Sequence, residues 1–328
     1  MTNMHEDTFK EVNDCRPQVI EQFVGQEQIV QRCKVAMEAA WNQGTKLPHM
    51  LMQGGPGLGK TELSHILAKE MGCELHEQLA QNIKSPTDLH AFLLTPKDRE
   101  VVLLDEIHEL PCISQTTLYR AMENQQIFLE TKRGKKSRPI RIANFTILGA
   151  TTDPQKLLQP LRDRFKLVLD YEFYREQELE ALLSNRVKQL GWQVDGSVLR
   201  MISERGKGTP RIALRLLEST RMTAASQNCD VIASEHFVKT CELEGIDKIG
   251  LTTNEIKYLR MIYENDGTAR LNVLASRLGL HCKHVSTIVE QFLIREGLVT
   301  KNNSIRVLTQ FGLEHFRRCH LDAEKTHE

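Results

Sequence analysis

Gly54-Gly55-Pro56-Gly57-Leu58-Gly59-Lys60-Thr61 is a complete GxxxxGK(S/T) phosphate loop, flanked by the strand-like Met50-Leu51-Met52 and the helix-prone run Glu62 to Met71. That context restricts the fold to an α/β sheet in which a strand delivers the loop and a helix N-terminus completes it. The glycines let successive backbone N–H groups turn inward around phosphates, Lys60 neutralises the β and γ charges, and the Thr61 hydroxyl is placed to ligate Mg²⁺. The chain is therefore expected to bind a nucleoside triphosphate through residues 54 to 61 and Glu62.

Val101-Val102-Leu103-Leu104-Asp105-Glu106 supplies the matching acidic strand. Four consecutive apolar residues suit a parallel strand buried on both faces, and two carboxylates at its C-terminal end stand where α/β sheets place their ligands. Asp105 is expected to hold Mg²⁺ through water. Glu106 is expected to orient and deprotonate the water that attacks the γ-phosphate, since phosphoryl transfer depends on positioning and charge compensation.

A chain of 328 residues, 40% of them apolar, has room for two or three domains with separate cores. Its 43 basic and 43 acidic residues cancel, so any nucleic-acid contact has to come from local patches. The eight cysteines show neither CxxC nor Cys/His pairing at metal spacing, which fits reduced thiols in a cytoplasmic protein and gives no reason to expect zinc. No apolar run approaches the length of a membrane span, and the polar N-terminus does not resemble a signal peptide. Residues 1–14 are expected to form a loose tail.

Along residues 15–170 helix and strand patterns alternate: helix Ile29 to Asn42, the phosphate-loop strand and helix, the acidic strand, helix Ser114 to Asn124, and the buried strand Phe145 to Leu148. Residues 171–246 change to purely helical runs, Glu176 to Leu190, Gly196 to Arg205 and Pro210 to Ser226, with apolar residues at helical spacing, as expected of a lid. From 247 to 328 helices near 253–264, 270–279 and 283–296 precede a polar-tipped hairpin, the pattern of a winged helix. In its third helix Val285, Ile288, Val289, Phe292 and Leu293 are read as the buried face. The expected architecture is an α/β P-loop core, a helical lid and a C-terminal winged helix.

Two further stretches narrow the type of NTPase. Leu148-Gly149-Ala150-Thr151-Thr152-Asp153 places polar residues at the end of a strand beside the acidic one, and Pro160-Leu161-Arg162-Asp163-Arg164-Phe165 and Gly208-Thr209-Pro210-Arg211 follow. Phosphate loop, acidic strand, polar sensor, arginine finger and lid arginine thus occur in the order of the AAA+ ATPases. With RPQVIEQFVGQE ahead of them and a winged helix behind, the chain resembles the bacterial RuvB family of Holliday-junction branch-migration motors over roughly residues 15 to 317.

The resemblance implies that Arg16, Pro17, Phe23, Val24 and Gly25 line the adenine and ribose pocket with Tyr174. It implies that Thr152 is the sensor of the γ-phosphate or attacking water, that Arg211 reports nucleotide state from the lid, and that Pro210 beside it belongs to the nucleotide site. Arg164 aligns with the finger that acts in trans, with Arg162 as second candidate, so the functional unit is expected to be a ring, six-membered by the family's precedent. ATP and Mg²⁺ are the implied cofactors. Branched or duplex DNA and a RuvA-like protein are the implied partners.

Three departures stand beside the resemblance. Gly55 occupies a position where the family usually carries proline. In the wing, paired basic residues reduce to Ser304-Ile305-Arg306. The hairpin expected within 126–144, whose family counterpart docks an apolar tip on RuvA, has six basic residues among the ten from 132 to 141, Lys132, Arg133, Lys135, Lys136 and Arg138 among them. Desolvating such a tip in an apolar groove costs more than its stem returns, which points to DNA phosphates or an acidic protein. Residues 251–320 hold ten basic and six acidic side chains, and Lys283, Lys301 and Arg306 fall where a winged helix meets DNA. Motor action on duplex or branched DNA is the first functional expectation. The alternatives are a RuvB-like switch that loads a partner on DNA without sustained translocation, and an ATP-gated transcription regulator.

Overall fold

The computed structural model describes residues 15–129 and 138–321. Five parallel strands form the central sheet: β1 (Met50–Gln53), β2 (Leu75–Leu79), β3 (Val101–Asp105), β6 (Thr146–Thr151) and β7 (Leu167–Asp170), in the spatial order β2-β3-β6-β1-β7. Every apolar residue of β1 and β3 is at most 1% exposed, as required of strands covered on both faces. The register sets Gln53 beside both Thr151 and Asp170, so the phosphate loop leaves the sheet next to the end of β6. Helices α1 (Glu27–Gln43), α2 (Lys60–Glu70), α3 (Pro86–Leu93), α4 (Cys112–Asn124) and the short α5 (Gln159–Arg162) accompany the strands. Leu89, Leu104, Leu118, Ile147 and Phe165 share one apolar core around β3 and β6. An antiparallel pair, β4 (Gln126–Leu129) and β5 (Arg138–Arg141), places Ile127 in this core with Ile140 packed against it.

The chain divides into two compact units, one running to Arg186 and including Gly208–Arg211, the other containing Val187–Lys207 and the residues from Ile212 onward. The helices α6 (Glu176–Leu190), α7 (Gly196–Arg205) and α8 (Pro210–Ser226) span the stretches that apolar spacing singles out. The segment is not purely helical. Two-residue strands β8 (Gln193–Val194) and β9 (Val231–Ile232) pair in parallel before α9 (Ser234–Glu244).

Within the second unit the helices of the lid and the winged helix are joined by buried charge. Lys207 Nζ donates to Glu255 Oε1 at 2.7 Å, and His315 Nε2 lies 3.0 Å from Asp247 Oδ2. Glu255 also accepts from the Thr252 backbone N–H and hydroxyl, both at 2.7 Å, closing a capping box at the start of α10 (Thr253–Tyr263). The winged helix continues through β10 (Thr268–Arg270), α11 (Leu271–Leu278), α12 (Cys282–His284), α13 (Glu290–Arg295), β11 (Val299–Asn302), β12 (Ile305–Leu308) and α14 (Gln310–Phe316). Its small sheet has the order β10-β12-β11. Among the described residues no helix is long and apolar enough to cross a membrane.

Two expectations for this unit are overturned. Ile288, assigned to the inner face, is 60% exposed. A π-type turn over Val285–Val289 joins α12 to α13; it widens the turn, so Val285, Val289 and Leu293 point inward while Ile288 rotates out. Arg306, assigned to DNA, is 2% exposed. Its Nε and Nη2 donate to the two carboxylate oxygens of Glu290 at 2.9 Å each, and its Nη1 donates to the Asn303 carbonyl. Tyr258 Oη completes the cluster on Glu290 Oε1 at 2.6 Å. A buried guanidinium satisfied on both sides is a core element, and it has no face left for phosphate.

Candidate active site

At Gly57 and Gly59 the loop adopts φ of 75° and 96°, in the left-handed region. A Cβ at Gly57 would stand 2.8 Å from Arg211 Cβ, and one at Gly59 would stand 3.0 Å from Phe23 Cζ. Glycine therefore lets the Arg211 segment close on one side of the loop and the Phe23 ring on the other. Lys60, 7% exposed, opens α2 and donates from Nζ to the carbonyls of Gly54 at 2.9 Å and Gly55 at 2.7 Å. Burial lowers its pKa below the usual lysine value; the nearby Glu106 and Asp105 oppose this, and Arg211 reinforces it. Four charged groups thus share one electrostatic neighbourhood.

The acidic residues are held in separate ways. Asp105 ends β3, its Oδ1 accepting the Glu106 N–H at 2.9 Å and its Oδ2 facing the Thr61 hydroxyl at 3.4 Å. Glu106 has φ 48° and ψ 47°, a left-handed conformation that costs an ordinary residue about 1 kcal/mol. That turn ends the strand and swings the Glu106 carboxylate toward the end of β6, where Oε2 accepts from the Thr152 N–H at 3.2 Å and hydroxyl at 3.0 Å. Sequence reasoning missed a third partner. His108, one residue beyond Ile107, lies with Nδ1 3.2 Å from Glu106 Oε2 and Nε2 3.1 Å from Glu109 Oε1. Its one sequence signal is its position between acids in Asp105-Glu106-Ile107-His108-Glu109.

The opposite wall contains the other expected residues. Tyr174, buried, reaches the Leu58 carbonyl with its hydroxyl at 3.4 Å and holds the Gly208 carbonyl through its N–H at 2.9 Å. Burial raises its phenol pKa. Phe23 and Val24 are half-buried beside Gly25, as is Pro17. Arg16 is exposed, with Nη1 3.8 Å from Glu62 Oε2. Burial pushes the Glu62 carboxyl up, and Arg16, His65 and Arg186 pull it back. Arg186, buried near the end of the first unit, is a second residue missed from sequence. Pro210 is buried at the start of α8, and Arg211 donates its N–H toward the Gly57 carbonyl at 3.4 Å.

This arrangement coincides with three known domain families. The P-loop domain of the Holliday junction DNA helicase RuvB matches residues 15–171, the RuvB AAA lid domain 174–247, and the RuvB C-terminal winged helix domain 248–317. The chain belongs to the RuvB family. It is 35% identical to the Holliday junction branch migration complex subunit RuvB of Kosmotoga olearia over 304 residues, 92% of this chain and 89% of that one. Identity to Thermotoga maritima RuvB is 33% over 306 residues, 92% of each. The structure of the Thermotoga maritima RuvB Holliday junction branch migration motor matches with a TM-score of 0.82 at 32% identity, covering 92% of this chain and 98% of that one. As a RuvB-family AAA+ protein the chain is an ATPase.

Arg164 Nη2 contacts Glu123 Oε1 on α4 at 2.8 Å, while Arg162 closes α5 and is half-buried. Lys283 and Lys301 are exposed, as a phosphate contact requires. Lys132, Arg133, Lys135 and Lys136 lie outside the described residues, and Arg138 opens β5 opposite Leu129. Away from the pocket, donor atoms of Glu74, His76 and Glu100 come within 4.8 Å of one another; His76 and Glu100 form a direct pair at 2.7 Å.

Proposed function

We propose that this RuvB-family chain hydrolyses ATP at the junction of the phosphate loop with the ends of β3 and β6, and that a ring of such subunits uses the hydrolysis to migrate branched DNA. The observation that carries the proposal is the convergence of Lys60, the Thr61–Asp105 pair, the Glu106–Thr152 pair and Arg211 at the C-terminal ends of the interior strands. Lys60 binds the β and γ phosphates, and Glu106 takes the proton of the attacking water while Thr152 orients it. The Thr61 hydroxyl and Asp105 carboxylate are hard oxygen donors facing each other, a fit for Mg²⁺. When bound, that ion supplies charge neutralisation on the phosphates. Phe23, Val24 and Tyr174 enclose the base, and Arg16 and Pro17 flank it. The working division is a core over 15–170, a lid over 171–246 and a winged helix over 247–328, in a cytoplasmic protein. Migration of a synthetic four-way junction tests the whole proposal; ATP turnover without it would instead indicate a loading switch.

Arg164 acts on the neighbouring subunit's nucleotide, which makes the ring, a hexamer by the family's precedent, a condition of activity. Arg164→Ala is expected to bind ATP and hydrolyse it poorly. Mixing it with Lys60→Ala is expected to recover part of the turnover, at interfaces that join an intact pocket to an intact finger. Full ATPase activity in a strictly monomeric protein would contradict this.

The basic hairpin contacts DNA phosphates, where counterion release favours six positive side chains that an apolar RuvA groove would reject. Changing Lys132, Arg133, Lys135 and Lys136 to Ala is expected to weaken DNA binding at low salt. The slope of log affinity against log salt should flatten by about 0.9 for each phosphate that the variant leaves unneutralised. An unchanged slope would transfer the hairpin to an acidic protein partner, to be sought by pull-down with the same variant.

A further inference from the structure

We propose that Lys46 is a carbon dioxide site: its side chain presents an uncharged amine that adds to CO2, and His49 and Lys166 hold the carbamate anion that results. The state of the amine follows from the hydrogen bonds around it. Leu148 pairs with Met50 across β6 and β1, which leaves the Ile147 N–H facing His49, one residue before β1 begins. That N–H donates to His49 Nδ1 at 2.8 Å. A ring nitrogen that accepts a hydrogen bond carries no proton, so the ring is neutral and its one proton sits on Nε2. Nε2 lies 3.2 Å from Lys46 Nζ. The imidazole N–H is the donor in this contact, and Nζ accepts it only as an amine with a free lone pair. An ammonium would set two donors against each other, or force the ring proton to Nδ1 and strand the N–H of Ile147, a residue 1% exposed. The amine still has a hydrogen for the Phe145 carbonyl.

The charges around Nζ act in the same direction. Lys166, whose backbone N–H donates to the His49 carbonyl at 3.0 Å just before β7, repels a second cation. Burial, with Lys166 second, brings the Lys46 ammonium down to about 8, and burial with Lys46 and Lys166 brings the His49 imidazolium down to about 3. Arg99, ahead of β3, adds positive charge where its Nη2 donates to the Gly44 carbonyl. Asp98 beside it accepts the Asn144 N–H at 2.6 Å, and among the described residues Lys46 Nζ contacts His49 and Phe145 with no carboxylate partner. Such a site selects its electrophile. Lys46 is half-buried, which favours a molecule as small as CO2. The Nζ lone pair forms the N–C bond, one C–O π bond gives its electron pair to oxygen, and the nitrogen loses one proton to solvent, so no leaving group has to depart. The carbamate carries one negative charge, which accepts from His49 Nε2–H and is neutralised by Lys166. The site lies at the opposite end of β1 from the phosphate loop and stands independently of how nucleotide is hydrolysed.

The test is carbon NMR of the full chain equilibrated with isotopically labelled bicarbonate at fixed CO2 pressure, after which a trialkyloxonium reagent traps the carbamate for location by peptide mass. At a pH of about 8, Lys46 is expected to carry the label about tenfold or more above the exposed Lys188 and Lys301, because a larger fraction of its amine is uncharged. In urea, where all three side chains meet the same solvent, that advantage should disappear. Lys46→Arg keeps a donor for the Phe145 carbonyl and forms no carbamate, so the NMR signal should be lost. Lys166→Ala, a change at an exposed residue, is expected to lower the labelling of Lys46 severalfold and leave Lys188 unchanged: the amine then protonates more readily and the carbamate loses its counter-charge. Labelling of Lys46 no greater than that of Lys188 in the folded wild type overturns the proposal, as does labelling of Lys46 that is unchanged in Lys166→Ala. Neither outcome depends on how well Lys46→Arg folds, and neither bears on the ATPase residues.

Discussion

Glu106→Gln is expected to bind ATP with unchanged affinity and to hydrolyse it about a hundredfold or more slowly, the loss typical of removing a general base. The amide is isosteric with the carboxylate, so it still accepts from the Thr152 N–H and hydroxyl that hold Oε2 at 3.2 and 3.0 Å. Only the capacity to take a proton is gone. Lys60→Ala should behave in the opposite way, losing nucleotide binding because its ammonium is the charge at the mouth of the loop. Equilibrium binding of a fluorescent ATP analogue and single-turnover hydrolysis separate the two. Wild-type turnover in Glu106→Gln would show that another group activates water.

Arg306→Ala is expected to destabilise the winged helix by about 3 kcal/mol, since it leaves the Glu290 carboxylate buried without its partner. Glu290 is 1% exposed and Arg306 2%, and Tyr258 also binds the same oxygen that Arg306 Nε contacts. Replacing the pair together, Glu290→Leu with Arg306→Met, should recover most of that stability because no charge is stranded. Thermal unfolding and hydrogen exchange over residues 251–317 provide the measurement. If Arg306 served DNA instead, Arg306→Ala would keep its melting temperature and lose DNA affinity. Lys301→Ala, on the exposed side of the wing, serves as the comparison for that outcome.

The phosphate loop, the acidic strand and the helices from 176 to 226 were legible in the sequence because each depends on residues adjacent in the chain. Glycine spacing dictates where the backbone turns left-handed, and four apolar residues in a row dictate burial on both strand faces. The order of sensor and finger segments likewise identified the family. Contacts made across elements were not legible. His108 meets Thr151, and Glu106 meets Thr152, only because β3 and β6 are neighbours in the sheet.

The winged helix shows the same limit from the other side. Along β12, alternation suggests Ile305 inside and Arg306 outside, yet Ile305 is 39% exposed and Arg306 is 2%. The π-type turn similarly reverses Ile288 in the helix before it. What the linear chain determined by itself was the set of local machines: a loop that cradles phosphate, an acid pair at a strand end, and amphipathic helices. Tertiary structure alone decided which charges face solvent, because a buried arginine is stable only where a second element brings a carboxylate to it, and Glu290 stands sixteen residues away in the chain.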